Sequence, residues 1–349
     1  METQETEHLG LYKKIFVIFL FVVSFKGFAQ TYPDPVVDSL LNSGINDIIL
    51  QNYSRAESTF EQLNNSYPKL PLGNIYIVAT EIARAYDYEE PYNDNLITQN
   101  LDAAEAKTEN LLDKDDSNLW FIYFKALKEG YYAYYQVLQK NWLSAFSNGV
   151  DAVRDFERCL KIDPAFYESK IAIGSYQYWR SRKTEFLKWL PFIKDETELG
   201  IKNLQVAVNH ASYHRYSAIY SLLWIYIDQK NYQAAIDLAE KTLKQYPGSR
   251  FFMWPLARAF ENVDIRKAII IYQELLDFYS KLPNSNFFNE IVLKHILAQL
   301  YVKQGDKKKA LELCNQILSR KNIPEYTRNR LGDRLNRVED LKQQLLSKQ

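Results

Sequence analysis

Apolar residues along this chain recur at helical spacing, in blocks that repeat. Ala56 is followed by Phe60, Leu63 and Pro68, Ala152 by Phe156, Cys159 and Pro164, and Ala235 by Ala239, Thr242 and Pro247. Offsets of four and seven put three residues on one helical face, which must pack against a neighbour. The proline twelve residues on cannot continue that helix but suits the first turn of the next, with Asp163 a cap before Pro164. Asn52 to Ala56, Asn231 to Ala235, Asp264 to Ala268 and Gly305 to Ala310 each open such a helix. Gly44, twelve residues before Ala56, lets two helices approach closely.

The equivalent positions are Ala56, Ala104, Ala152, Ile201, Ala235, Ala268 and Ala310, at intervals of 48, 48, 49, 34, 33 and 42 residues. The long intervals call for lengthened helices or inserted loops, and Tyr86 to Asn100, rich in Asp, Asn, Glu and Pro, reads as one such loop. Small residues where paired helices touch, a large apolar residue between them and a proline at the corner resemble the tetratricopeptide repeat. The resemblance covers about residues 37–320. It departs from the pattern at Ile201, where a small residue is expected, and in lacking most of the tryptophans near repeat starts. It implies an all-α, right-handed superhelix of about seven helix pairs, some lengthened, whose neighbours complete one another's cores. After Pro324 a charged amphipathic helix is predicted, with Leu331, Leu335, Val338, Leu341 and Leu345 on one stripe as an end cap.

The N-terminus reads differently. Lys13 and Lys14 precede an unbroken apolar run from Ile15 to Phe25, followed by small residues at Gly27 and Ala29. That is the layout of a secretory signal cleaved after Ala29, and the run is too short for a membrane helix. No cysteine sits near the cleavage point to carry a lipid anchor. The expected organisation is therefore a signal peptide (1–29), a short linker (30–36), a repeat array (37–324) and a capping helix (325–349). The mature chain is expected to be exported to the periplasm or cell envelope, with no membrane span.

Lys+Arg and Asp+Glu both number 43, so no net basic charge points to nucleic acid. Cys159 and Cys314 lie on apolar helical faces, far apart, and read as buried free thiols. The glycines form no phosphate-cradling loop, no serine occupies a nucleophile elbow, and no cofactor motif is present. Of the histidines, His8 falls in the signal, and His210 and His214 stand four apart. A helix would put such a pair on one face, but His210 falls near a helix end and His214 in the turn beyond, with no adjacent acid or cysteine. They read as a solvated or corner-capping pair rather than metal ligands.

The segment Tyr176 to Phe192 lengthens the fourth repeat and mixes Trp179, Phe186, Trp189 and Phe192 with Arg180, Arg182, Lys183 and Lys188. Two readings stand. Trp179, Arg180, Arg182, Lys183 and Trp189 line a groove and contact a partner, or the aromatics fill an enlarged turn while the cations extend to solvent. Gly174, Leu187, Leu190-Pro191-Phe192, Asp195 and Gly200-Ile201 before Leu204 are similar to a narrower family of eukaryotic tetratricopeptide proteins of the inclusion-body clearance type. That likeness implies the same array and no catalytic activity.

The function expected from these residues is a non-catalytic exported scaffold whose groove takes a protein or peptide. The alternative is a solute- or glycan-binding component of an envelope uptake system.

Overall fold

The computed structural model describes residues 30–183, 194–283 and 285–347, and among them it contains sixteen helices and no strand. The proposed signal (1–29) and Trp189 lie outside the described residues. Fourteen helices form seven consecutive pairs. These are α1 (Pro35–Ile49) with α2 (Tyr53–Ser66), α3 (Leu72–Tyr88) with α4 (Asp94–Leu112), and α5 (Leu119–Leu138) with α6 (Trp142–Ile162). There follow α7 (Ser169–Lys183) with α8 (Thr197–His210), α9 (Arg215–Asp228) with α10 (Tyr232–Leu243), α11 (Arg250–Phe260) with α12 (Ile265–Ser280), and α13 (Phe288–Lys303) with α14 (Lys307–Leu318). Each helix packs on its sequence neighbours, and the pairs wind into a right-handed superhelix.

Local chemistry sets the helix ends. Asp34 accepts from the backbone N–H groups of Val36 and Val37, with Pro35 at the first helical position, so α1 begins two residues before the expected boundary. Four of the turns inside pairs share one closing motif. Gln51, Lys140, Lys230 and Gly305 adopt left-handed backbone, each just before the Asn or Asp that opens the second helix. There the N–H of Asn52, Asn141, Asn231 or Asp306 returns to a carbonyl five residues back, so the orphan carbonyls of the first helix end are satisfied.

The helical stripes are buried at the expected offsets: Ala56, Phe60 and Leu63 are fully buried, as are Ala310 and Cys314. Ala104, Ala152, Phe156, Ala235 and Ala268 are buried too, and both cysteines are buried free thiols. A Cβ on Gly44 would lie 2.4 Å from the Phe60 ring, which explains the glycine twelve residues before Ala56.

Three details differ from the sequence reading. The small residue of the fourth repeat is Gly200, with Leu204 and Ala207 completing the stripe, because α7 and α8 cross at Gly174 and Gly200. There a Cβ on either glycine would meet the other's carbonyl oxygen at 2.7 or 2.6 Å. Tyr86 to Asn100 is mostly helix: only 89–93 connect α3 to α4, and the long intervals are taken up by helices of 17 to 21 residues. Pro164 and Pro247 stand exposed in the turns before α7 and α11 rather than in their first helical turns. Asp163 accordingly accepts from the N–H of Ala165 within its turn.

The segment after Pro324 is two helices, α15 (Glu325–Leu331) and α16 (Arg334–Ser347), rather than one. Gly332, at φ +51°, breaks it, and the break lets both parts lie on the array's end. Leu331, Val338 and Leu345 are buried there, with Leu335 and Leu341 packed beside them. No helix among the described residues is long and apolar enough to cross a membrane.

The superhelical turn also brings distant repeats together. Asp87, near the end of α3, holds Arg250 of α11 in a buried ion pair. Asn289 of α13 donates to the Asp87 carbonyl, and Asn286 to those of Tyr88 and Glu89. At the opposite edge, residues 30–34 lie against the array instead of hanging free. The Tyr32 ring packs on Trp120 and Phe124, its N–H donates to the Tyr213 hydroxyl, and the Ser212 hydroxyl donates to the Gln30 carbonyl.

Candidate functional site

Because each pair repeats the same orientation, the first helices of successive pairs share the inner face of the superhelix. They enclose a cavity of about 540 Å³ to which α1, α3, α5, α7, α9 and α11 all contribute side chains. That size falls within the roughly 300–1,000 Å³ of ligand pockets. One wall is aliphatic, built by Ile45 and Ile48 of α1 and Ala79 and Ile82 of α3. The other is aromatic, with Tyr86, Tyr131, Tyr134, Trp179 and Tyr220. Among the described residues that line it there is no lysine or arginine.

At the floor lies a buried polar cluster. Glu168, in the turn before α7, accepts from the backbone N–H groups of Tyr213 (2.7 Å) and His214 (3.2 Å) at the start of α9. An anion is favoured there by unpaired N–H groups and the helix dipole. His214 Nδ1 lies 2.8 Å from the same carboxylate, which assigns the proton to Nδ1. Nε2 then faces the hydroxyls of Tyr76 at 3.1 Å and Tyr131 at 3.5 Å, and the Tyr123 hydroxyl lies 3.1 Å from Nδ1.

The Tyr76 ring is sandwiched between Phe60 and the His214 imidazole, at centroid distances of 4.9 and 5.7 Å. Burial works against the Glu168 charge, but the His214 hydrogen bond and the two backbone donors outweigh it, holding the carboxyl below its ordinary range. Burial, reinforced by neighbouring phenols and Glu168, pushes the Tyr76 and Tyr123 hydroxyls well above theirs, so they remain neutral. The cluster is thus one carboxylate, one imidazole and neutral phenols, bonded mainly to one another and to the α9 backbone.

The sequence reading placed His214 in a turn, which is correct, and found no acid beside it, which the fold overturns. Glu168 and His214 are 46 residues apart, close to the repeat interval, so they occupy neighbouring corners of the stack. That spacing was the available signal. His210, by contrast, is exposed and packs on the Tyr167 ring, 4.7 Å between centroids. The two histidines therefore turn to different partners.

Of the residues proposed from the Tyr176 to Phe192 segment, Trp179 reaches the groove mouth, with 37% of its surface exposed. Arg180 pairs with Glu196 and lies over the Tyr176 ring. Arg182 donates to Asp228, which also accepts from the Tyr178 hydroxyl. Lys183 is exposed at the end of α7. The guanidinium groups thus pair with Glu196, just before α8, and Asp228 of α9, and neither arginine is among the residues that line the groove Trp179 enters.

Residues 224–249 and 293–323 each match a model of the tetratricopeptide repeat, the first spanning α10 and the second the α13–α14 pair. With the stack of seven pairs, these matches show that the chain carries tetratricopeptide repeats, which imply a protein-interaction scaffold. The crystal structure of the APC/C hetero-tetramer Cut9–Hcn1 is similar at a TM-score of 0.51 and 15% identity, covering 88% of this chain and 55% of that one. A human IFIT1 dimer with m7Gppp-AAAA gives 0.44 and 14%, covering 84% and 64%. A tetratricopeptide repeat protein from Parabacteroides merdae gives 0.35 and 12%, covering 90% and 100%. This chain spans 55% to 64% of the length of the first structures it resembles. No curated protein sequence matches it.

Proposed function

We propose that this protein is an exported, non-catalytic adaptor that binds an extended segment of a partner protein along the inner groove of its superhelix. The observation that supports the reading is the cavity itself, walled by six successive first helices and partly open at a rim of aromatic side chains. Extended ligands suit the concave faces of repeat arrays, and aromatic side chains supply large contact area at low entropic cost. The polar floor at Glu168 and His214 fixes the walls rather than presenting a nucleophile. Export rests on the positive, apolar and small-residue layout of residues 13–29.

Two measurements test the reading. Crosslinking in the native cells, followed by capture of the tagged chain, should enrich one or two envelope proteins. They should be lost when the groove is filled by Ala83→Trp, whose site is half-buried on the aliphatic wall. Equal capture by the filled variant would remove the groove from the proposal. N-terminal sequencing of the recovered chain should begin at Gln30, and an intact Met1 would overturn export by cleavage.

A further inference from the structure

The aromatic rings at the groove mouth lack something that several other rings of this protein have. Elsewhere the chain repeatedly seats its own cations on its rings. Arg250 lies 3.7 Å from the Phe278 centroid, Arg320 4.6 Å from Phe287, Lys267 5.0 Å from Phe260 and Lys309 5.1 Å from Tyr301. Around the groove mouth, Tyr86 of α3, Tyr134 of α5 and Trp179 of α7 are each more than a third exposed. Among the described residues no cation and no second ring stacks on Tyr86 or Tyr134, and Trp179 meets only the edge of Tyr178. Tyr220 of α9 closes the ring of aromatics. It lines the same cavity as Tyr86, Tyr134 and Trp179, and burial, reinforced by the phenols of Tyr86 and Tyr134, pushes its hydroxyl well above the ordinary range.

The electrostatics agree with the geometry. Among the described residues the lining holds no lysine or arginine, and its one carboxyl there, Glu168, is held below its ordinary range at the floor. Among the described lining residues, a carboxylate or phosphate would meet aromatic and aliphatic side chains, hydroxyls, the His214 imidazole and a like charge, with no cation to pair it. A cation would meet four aromatic side chains, and the negative face of an aromatic ring attracts a cation most strongly when water is excluded. The aliphatic wall of Ile45, Ile48 and Ile82 complements the carbon attached to such a head group.

We infer that the groove mouth is an aromatic cage for an alkylammonium group, seated among Tyr86, Tyr134, Trp179 and Tyr220. This rests on the groove being the binding face, and it assigns the ligand's chemistry: a cationic nitrogen carrying alkyl carbon. Two sources present that group, a free quaternary ammonium solute or the lysine side chain of a bound segment.

The test uses the chain from Gln30 to Gln349 and calorimetric titration. The probes are choline, its uncharged isostere 3,3-dimethyl-1-butanol, and a lysine-containing peptide against its norleucine counterpart. In choline and the isostere, shape and apolar area are nearly equal and only the charge differs. Binding of choline with the isostere at least about tenfold weaker supports the cage and a free solute. Binding of the lysine peptide over the norleucine peptide, with choline silent, supports the cage and places the head group on a partner chain. In either case Tyr134→Leu and Trp179→Leu should each weaken binding by roughly tenfold, with the helical circular-dichroism signal unchanged. Equal binding of charged and uncharged probes, no binding of any, or indifference to both substitutions would overturn the inference. Should the cage fail while Ala83→Trp still abolishes partner capture, the groove stands and only the assigned chemistry is wrong.

Discussion

The buried pair between Asp87 and Arg250 offers the sharpest test of how this array is held. Asp87 accepts from Arg250 Nε at 3.0 Å and from a second guanidinium nitrogen, and also from the hydroxyls of Tyr53 (3.0 Å) and Tyr279 (2.7 Å). The guanidinium lies over the Phe278 face, and both charged side chains are under 10% exposed. Removing one partner of such a pair leaves an uncompensated buried charge, which costs about 3–5 kcal/mol. Asp87→Asn and Arg250→Leu should each destabilise by that amount. Asp87→Leu combined with Arg250→Leu should cost far less than the two single leucine changes together, because desolvating the pair offsets much of its attraction. Urea denaturation followed by circular dichroism gives the cycle. Because the pair joins α3 to α11, the single variants should also be cleaved faster by protease in the 89–93 connection. Single-variant costs under about 1 kcal/mol, or strictly additive costs, would refute the idea that this pair closes the superhelical turn.

Three further outcomes are expected. Gly174→Ala puts a methyl 2.7 Å from the Gly200 carbonyl oxygen, backbone that cannot rotate away, and should destabilise by about 1–3 kcal/mol or more in the same assay. Glu168→Gln weakens the bonds to His214 and to the start of α9, costing about 1–3 kcal/mol at neutral pH. Since the Glu168 carboxyl sits below its usual 4.5 when folded, its contribution is present above that value and is lost as pH falls through the folded value, so the difference from wild type should narrow in acid. His295 is buried, and burial followed by the charges of Arg334 and Arg337 lowers it to about 4 from 6.5. The unfolded chain therefore takes up the proton first, and up to ~3 kcal/mol of stability should drain away between pH 6.5 and 4. His295→Leu should flatten that slope, and an unchanged acid limb would show that other groups govern it.

The sequence by itself determined the repeat. Offsets of four and seven, a glycine opposite Phe60 and an Asn or Asp opening most of the second helices are local requirements of helix packing and termination. They made the seven pairs, the burial of Ala56 and Phe60 and the buried thiols legible without coordinates. A one-residue error at Ile201 arose because Gly200 serves the same purpose through backbone contact, which a search for alanine overlooks. Of the two readings of the long intervals, lengthened helices hold, and Tyr86 to Asn100 was misread as a loop because Asp and Asn can lie on a helix's solvated face as readily as in a turn. What only the tertiary structure decided is which distant residues meet. Asp87 finds Arg250 across 163 residues, and Glu168 finds His214 one corner along the stack. The direction of Trp179 into the groove, and of Arg182 towards Asp228, depends on where α9 lies relative to α7. Such pairings are fixed by the pitch and curvature of the superhelix, which sum small rotations over every repeat, and no single segment of the chain carries that sum.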